Sequence, residues 1–289
     1  MDGAGAAGGD AARQLVGPGA GAAVSARLFC DGRPASAEAL AAPALVNYGH
    51  FSTMQVRDGA VRGFDLHLQR LDEATRSLFG SELPADRIRA ELRAALQAFG
   101  SGAASLRASV FARDFDFRRA DAACTPELLV SLAAPVQADT TPLRLRSAVF
   151  ARELPQIKHA GSFALFHQRR LALQAGFDDA LFVDAQGLVA EGSTWNLCAW
   201  DGRSMLWPQA PALRGTQERL LQAGLAALGV AQQVRPLHLR ELAGPVAAFA
   251  CNARGQQAIA AVDGQALGPV AELLQMLDAA LETQAWQAI

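Results

Sequence analysis

Apolar residues recur at helical spacing in two early stretches. Phe64, Leu68, Leu71, Thr75 and Leu78 share one face of a helix expected over 65–78, which Gly80 ends. Ile88, Leu92, Leu96 and Phe99 do the same over 86–99, closed by Gly100. Strand-like runs lie around them at 26–30, 46–57, 105–111 and 127–133, the last two separated by a polar loop over 113–125. Asp31-Gly32 and Asp58-Gly59 are hairpin turn signals, and the second predicts that 60–62 returns against 46–57. The pattern assigns no element over 33–45.

Beyond a polar, proline-bearing connection at 137–142 the pattern changes to hairpins punctuated by helices. A strand is expected over 143–150, then a helix from a Ser162 cap to Ala175, ended by Gly176. The run 179–184 turns at Gln186-Gly187 and returns over 188–198; Asp201-Gly202 turns it again into 205–207. Pro211 to Thr216 opens a helix reaching Leu228; a strand over 246–251, a hairpin at Asp263-Gly264 and a helix over 267–284 complete the chain. Strands mixed with helices in each half make an α+β fold. The expected division is a disordered Ala/Gly-rich tail over 1–24, an N-terminal domain over 25–136 and a C-terminal domain over 143–289.

Composition narrows the partners. Half of the 289 residues are hydrophobic, enough for a real core, and the net charge of -2 gives no electrostatic case for nucleic acid or an anionic membrane. No apolar run reaches the roughly 20 residues of a membrane helix, and the first two dozen residues lack a signal peptide's basic start and compact apolar block. A cytoplasmic protein is expected. Cys30, Cys124, Cys198 and Cys251 are far apart and read as small core residues. The five histidines are scattered, so no metal site is expected.

Candidate chemistry starts from one residue. Lys158 is the only lysine among 26 basic residues, although arginine is accepted everywhere else. A lysine amine can lose its proton and attack a carbonyl, whereas a guanidinium cannot. Three other stretches suit an aldehyde cofactor bearing a phosphate and a pyridine ring. Glu191, between Ala190 and Gly192, could face the ring nitrogen; Gly215-Thr216 at a helix start offers backbone N–H groups to a phosphate; Arg70 could add charged donors to it. Taken alone, each has a plainer reading: an exposed strand-end carboxylate, an ordinary threonine cap and a solvated helix arginine.

Their order carries more than each alone. Ile157-Lys158-His159, then 176–184, then Glu191-Gly192-Ser193-Thr194-Trp195-Asn196 resemble the class IV aminotransferase family, the fold-type IV pyridoxal phosphate enzymes. That family holds branched-chain and D-amino acid aminotransferases and aminodeoxychorismate lyase, and the resemblance runs from Tyr48 to Gly264. It implies a two-domain D-amino acid aminotransferase-like fold, pyridoxal 5'-phosphate as cofactor, an amino donor and keto-acid acceptor, and a homodimer. It also implies that Lys158 is the Schiff-base lysine and proton shuttle. Glu191 becomes the partner of the ring nitrogen, and Arg70, Gly215 and Thr216 the phosphate holders, with Asn196, Asn252 and Ala253 also at the cofactor.

Departures bear on the substrate. Where the family often has glutamate there is Ser52; an arginine after the Gly-x-Thr helix start has become Gln217; the tyrosine expected five residues after the lysine is Phe163. Tyr48 or the Thr194–Asn196 turn is the candidate replacement for that tyrosine. Lys158-His159 and Cys251-Asn252-Ala253 lean toward the lyase branch, whereas Thr194-Trp195-Asn196 matches neither branch. Three functions remain: an aminotransferase on a small amino acid or amine, a lyase releasing pyruvate from an aminodeoxychorismate-like substrate, and a non-enzymatic binding protein on the same fold.

Overall fold

The computed structural model describes residues 26–244 and 246–289, so the tail expected over 1–24 lies outside the described residues. Two sheets dominate the described chain. The first is five-stranded and antiparallel throughout, in the order Arg33–Pro34, Arg27–Cys30, Glu127–Ala133, Ala104–Phe111, His50–Val56. Along His50–Val56 burial alternates, with Ser52, Met54 and Val56 buried and Phe51, Thr53 and Gln55 on the opposite, partly open face. The buried face packs against two helices, α2 (Phe64–Phe79) and α3 (Ala85–Phe99), which follow α1 (Ala37–Leu45). The helical periodicity of the sequence is realised here: Phe64, Leu68, Leu71, Ile88 and Leu92 all lie in this core.

The second sheet has nine strands. Its path runs Gln232–Arg235, Met205–Pro208, Asn196–Trp200, Ala247–Asn252, Gly255–Val262, Leu143–Val149, Asp179–Val183, Val189–Gly192, with Gln265–Ala266 paired to Gly255–Val262. Helix α4 (Phe163–Gln174) covers Asp179–Val183, while α5 (Thr216–Ala227) and α6 (Ala271–Glu282) cover the middle through Leu221, Leu225, Leu273 and Leu277. The two helices approach closely where Gly224 faces the backbone of Ala280; a Cβ there would collide with the Ala280 carbonyl. All four cysteines are buried and free.

Several expectations need correction. The predicted hairpin of 46–57 with 60–62 forms only its turn. Arg57 and Ala60 exchange backbone hydrogen bonds, after which Ala60–Arg62 leaves and pairs with Trp286–Ala288. That last strand, absent from the sequence reading, carries Ile289 into the core of the first sheet. The return over 188–198 is broken at Ser193–Trp195 into Val189–Gly192 and Asn196–Trp200. Helix α1 falls where no element was assigned: Ser36 caps it by accepting the Ala39 N–H at 3.2 Å, and Pro43 inside it blurs the pattern. Ser162 stands at the start of α4, but its side chain caps nothing. No described helix is long and apolar enough to cross a membrane.

Candidate active site

Lys158 is held at the junction of the sheets by backbone hydrogen bonds. The Phe51 N–H donates to the Lys158 carbonyl at 2.9 Å, and the Ala160 N–H donates to the Gly49 carbonyl at 2.7 Å. The lysine segment therefore covers the free edge of His50–Val56, whose other edge pairs with Ala104–Phe111. Leu154 leads into the segment with φ of 44°, a left-handed value that costs a branched residue energy.

A cleft of about 400 Å³ opens beside this junction. Its lining includes Lys158, Glu191, Arg70, Asn196, Gly215, Thr216, Asn252 and Ala253, so every residue singled out from the sequence reaches one place. The plainer readings fail for two of them. Glu191 is 4% exposed, and Arg70 is half-buried with its guanidinium Nε closed off from solvent. Burial, reinforced by the Arg70 and Arg152 charges, lowers the Lys158 amine to about 7, against an opposing pull from Glu191. Burial likewise raises the Glu191 carboxyl to about 7, opposed first by Arg152. Both groups therefore change protonation near neutrality, where an acid–base pair is most effective.

The hydrogen bonds separate residues that face the cleft from residues that shape it. Glu191 Oε2 accepts the Leu213 N–H at 3.3 Å, while its buried Oε1 has no hydrogen-bond partner and lies 3.8 Å from Arg152 Nη1. Asn196 is used up as a brace: its Nδ2 donates to the Leu213 carbonyl at 2.6 Å and its Oδ1 accepts the Gly215 N–H at 3.2 Å. A Cβ on Gly215 would strike that Oδ1, which is why glycine stands there. Asn252 braces the neighbouring turn, donating to the Thr194 carbonyl at 3.4 Å and accepting the Arg254 N–H at 2.8 Å. Thr216 begins α5, no side chain caps that helix start, and Gly215, Thr216 and Gln217 line the cleft there.

The departures resolve differently. Phe163 is 80% exposed and stacks on His167, and it does not line the cleft. Tyr48 does not replace the missing tyrosine: its hydroxyl donates to the Leu78 carbonyl at 3.0 Å, and its ring stacks on Phe115. Thr194 does line the cleft. Trp195 lines it too but is held by packing; its Nε1 donates to Asp179 at 3.0 Å, and its ring fills the space a Cβ on Gly192 would need.

Sequence reasoning missed Arg152, Arg107 and His67, and it took Ser52 only as a departure bearing on the substrate. Arg152, with a side chain 6% exposed, donates to the Ile157 carbonyl at 2.8 Å beside Lys158 and faces Glu191. Arg107 lies over the Phe51 ring, its Cζ 3.5 Å from the centroid, and Lys158 Nζ shares that ring at 5.1 Å. Ser52 and His67 contact Arg70. Only the alternation of His50–Val56, with Arg107 opposite Thr53, could have hinted at Arg107. The unmet groups together suit a ligand with an anionic end, a basic ring atom and an electrophilic carbon. Such a ligand's anionic end would suit Arg70 and the α5 start, its ring atom Glu191 Oε1, and its carbon Lys158 Nζ.

Solved structures share this architecture. A hypothetical aminotransferase from Mycobacterium tuberculosis, in a PLP-bound form, superposes with a TM-score of 0.74 at 21% identity, over 90% of this chain and 99% of that one. A putative 4-amino-4-deoxychorismate lyase from Legionella pneumophila gives 0.76 at 19% identity, over 88% and 97%. The branched-chain amino acid aminotransferase of Escherichia coli gives 0.73 at 16% identity, over 86% and 92%. At such identities the likeness is one of fold. No curated protein matches the chain in sequence. Residues 49–260, well over half the chain, match the family profile described as amino-transferase class IV. On that match the chain belongs to the class IV aminotransferase family.

Proposed function

We propose that the chain is a pyridoxal phosphate enzyme acting as an aminotransferase on small amino acids. One observation carries the reading: the chain's single lysine shares a cleft with a buried carboxylate oxygen and a buried guanidinium that lack charged partners from the protein at hydrogen-bonding distance. When bound, the cofactor supplies an aldehyde to the lysine and a ring that accepts electrons. Lys158 would be the residue that holds it, through its amine, and Nζ would carry the proton from the substrate α-carbon. Glu191 Oε1 would hold the ring nitrogen's proton in place, and Arg152 pulls that carboxyl toward its charged form against the effect of burial. Arg70, Gly215 and Thr216 hold the phosphate, with Asn196, Asn252 and Ala253 shaping the loops around it. On this reading 25–136 and 143–285 are two domains with the cleft between them, and the last strand and Ile289 pack with the first.

Charge narrows "amino acid or amine" to amino acid. Arg62, Arg107, Arg169 and Arg254 line the cleft in addition to Arg70 and Arg152, while Glu191 is the only acid in that lining among the described residues. A substrate bearing a carboxylate is favoured there over a bare amine. Exposed apolar side chains of Val149, Phe163 and Phe166 support a homodimer, which light scattering tests.

The test is spectroscopic. Borohydride reduction of the cofactor-loaded protein should fix a pyridoxyl group on Lys158, and amino acids should bleach the lysine-bound absorbance. If no amino acid in a broad panel does so, the aminotransferase reading fails. A lyase is the second reading, supported by Lys158-His159, Cys251-Asn252-Ala253 and the shared fold of the Legionella protein. Pyruvate release without a keto-acid acceptor would select it.

A further inference from the structure

Arg70 is a buried guanidinium whose visible partners are all neutral. Its Nη2 donates to Ser52 Oγ and lies 3.3 Å from His67 Nδ1, and its Nε has no partner. Ser52 Oγ and His67 Nδ1 are 2.6 Å apart. Both side chains are buried, Ser52 inside His50–Val56 and His67 one turn before Arg70 on the same face of α2.

Donor counting fixes the direction of this chain. A guanidinium only donates, so Ser52 Oγ must accept from Arg70. Arg70 Nη2, 3.3 Å from His67 Nδ1, can likewise only donate, so Nδ1 carries no proton and is open to the Ser52 hydroxyl proton as well. The imidazole is therefore neutral, with its proton on Nε2. Burial first, then the Arg70 and Lys158 charges, hold His67 well below the usual histidine range, which agrees with that tautomer. Nothing in this arrangement cancels the Arg70 charge. A carboxylate in the place of either residue would have done so. The serine and histidine hold the guanidinium by geometry alone and leave its charge for a ligand.

We propose that Ser52 and His67 are positioning residues that aim Arg70 at the phosphate of the cofactor while leaving its charge uncompensated. This rests on the reading that a phosphate binds at Arg70 and the α5 start, and it assigns a role to two residues that do not touch the phosphate themselves.

The experiment compares pyridoxal phosphate with pyridoxal as probes of the cofactor-free full chain, following tryptophan fluorescence. The ratio of the two Kd values isolates the phosphate, and the pyridoxal value reports whether the rest of the cleft is intact. Ser52→Ala should cut the ratio about tenfold, the worth of one charge-assisted hydrogen bond, with pyridoxal affinity unchanged. Ser52→Thr, which keeps the hydroxyl, should restore the ratio. Ser52→Ala added to Arg70→Ala should change nothing further, because the serine acts only through the arginine. The proposal is overturned if Ser52→Ala leaves the ratio alone, weakens both probes equally, or adds its full effect to Arg70→Ala. If Arg70→Ala itself leaves the ratio alone, the phosphate reading has failed, and that result is distinct from a failure of the serine alone.

Discussion

Two arginines flank the start of α5 and behave as opposites. Arg214 is fully engaged by the protein: Nη1 donates to Glu218 at 2.9 Å, and Nη2 donates to the carbonyls of Pro208 and Ala210 at 2.7 and 3.0 Å. Arg70, on the cleft side, has only a serine and a neutral histidine. The carboxylates repeat the contrast. Each keeps one buried oxygen without a hydrogen-bond partner, but Glu218 Oε1 receives side-chain donors from Arg214 and from Gln222 at 3.3 Å, whereas Glu191 receives no side-chain hydrogen bond. Burying a charge is expensive unless it is paired. Charges matched within the protein serve the fold, and charges left open are kept for something that binds.

The sharpest way to break this comparison is to neutralise each carboxylate. Glu191→Gln should lower kcat by about 10² to 10³, the scale for removing a preorganised charge at a reacting centre, with the denaturation midpoint hardly moved. Glu218→Gln should do the reverse, and steady-state kinetics beside guanidinium unfolding decide it.

Removing the arginines should cross over in the same way. Arg214→Met strands the buried Glu218 and should cost about 3 kcal/mol of unfolding free energy. Arg70→Ala removes an uncompensated buried cation, so the cofactor-free protein should hold or gain stability while phosphate affinity collapses. A stability loss at Arg70 equal to that at Arg214 would erase the distinction.

Protonation gives a smaller but continuous test. With the Lys158 amine near 7, capture of pyridoxal phosphate by the cofactor-free protein should rise about tenfold per pH unit up to 7 and then level. An ordinary lysine would keep rising toward 10.5. The sign for stability follows from linkage: the folded state binds fewer protons than the unfolded one between 7 and 10.5, so this lysine's penalty is complete below 7 and fades above. Lys158→Met should therefore stabilise most in acid and least near pH 10.

The smallest effect belongs to the packing residue. Trp195→Phe gives up the hydrogen bond to Asp179 and should cost about 1 kcal/mol, visible as a slight fall in Tm with kcat close to unchanged.

Helices α2 and α3 were legible because their apolar faces follow a 3.6-residue period, and both start and stop within a residue of expectation. Gln232–Arg235 was not, because its burial does not alternate, and Trp286–Ala288 was not, because it is an isolated pair with Ala60–Arg62. The cleft divides by the same rule. Lys158, Glu191 and Gly215-Thr216 sit in local motifs whose chemistry shows in a few neighbouring residues. Arg107, Arg152, Ser52 and His67 matter through partners that are distant in sequence or hidden in a turn. Tyr48 misled for that reason: as the only tyrosine it was a natural substitute, but its hydroxyl is spent on Leu78.

The chain by itself determined which groups are chemically able: one amine that can lose its proton, a carboxylate in a tight glycine setting, and a Gly215-Thr216 helix start with backbone N–H groups to offer. Tertiary structure alone decided how those groups are poised. A pKa and an unmet hydrogen bond are set by whatever surrounds a group in space, and here that surrounding is assembled from both sheets and the segment that joins them.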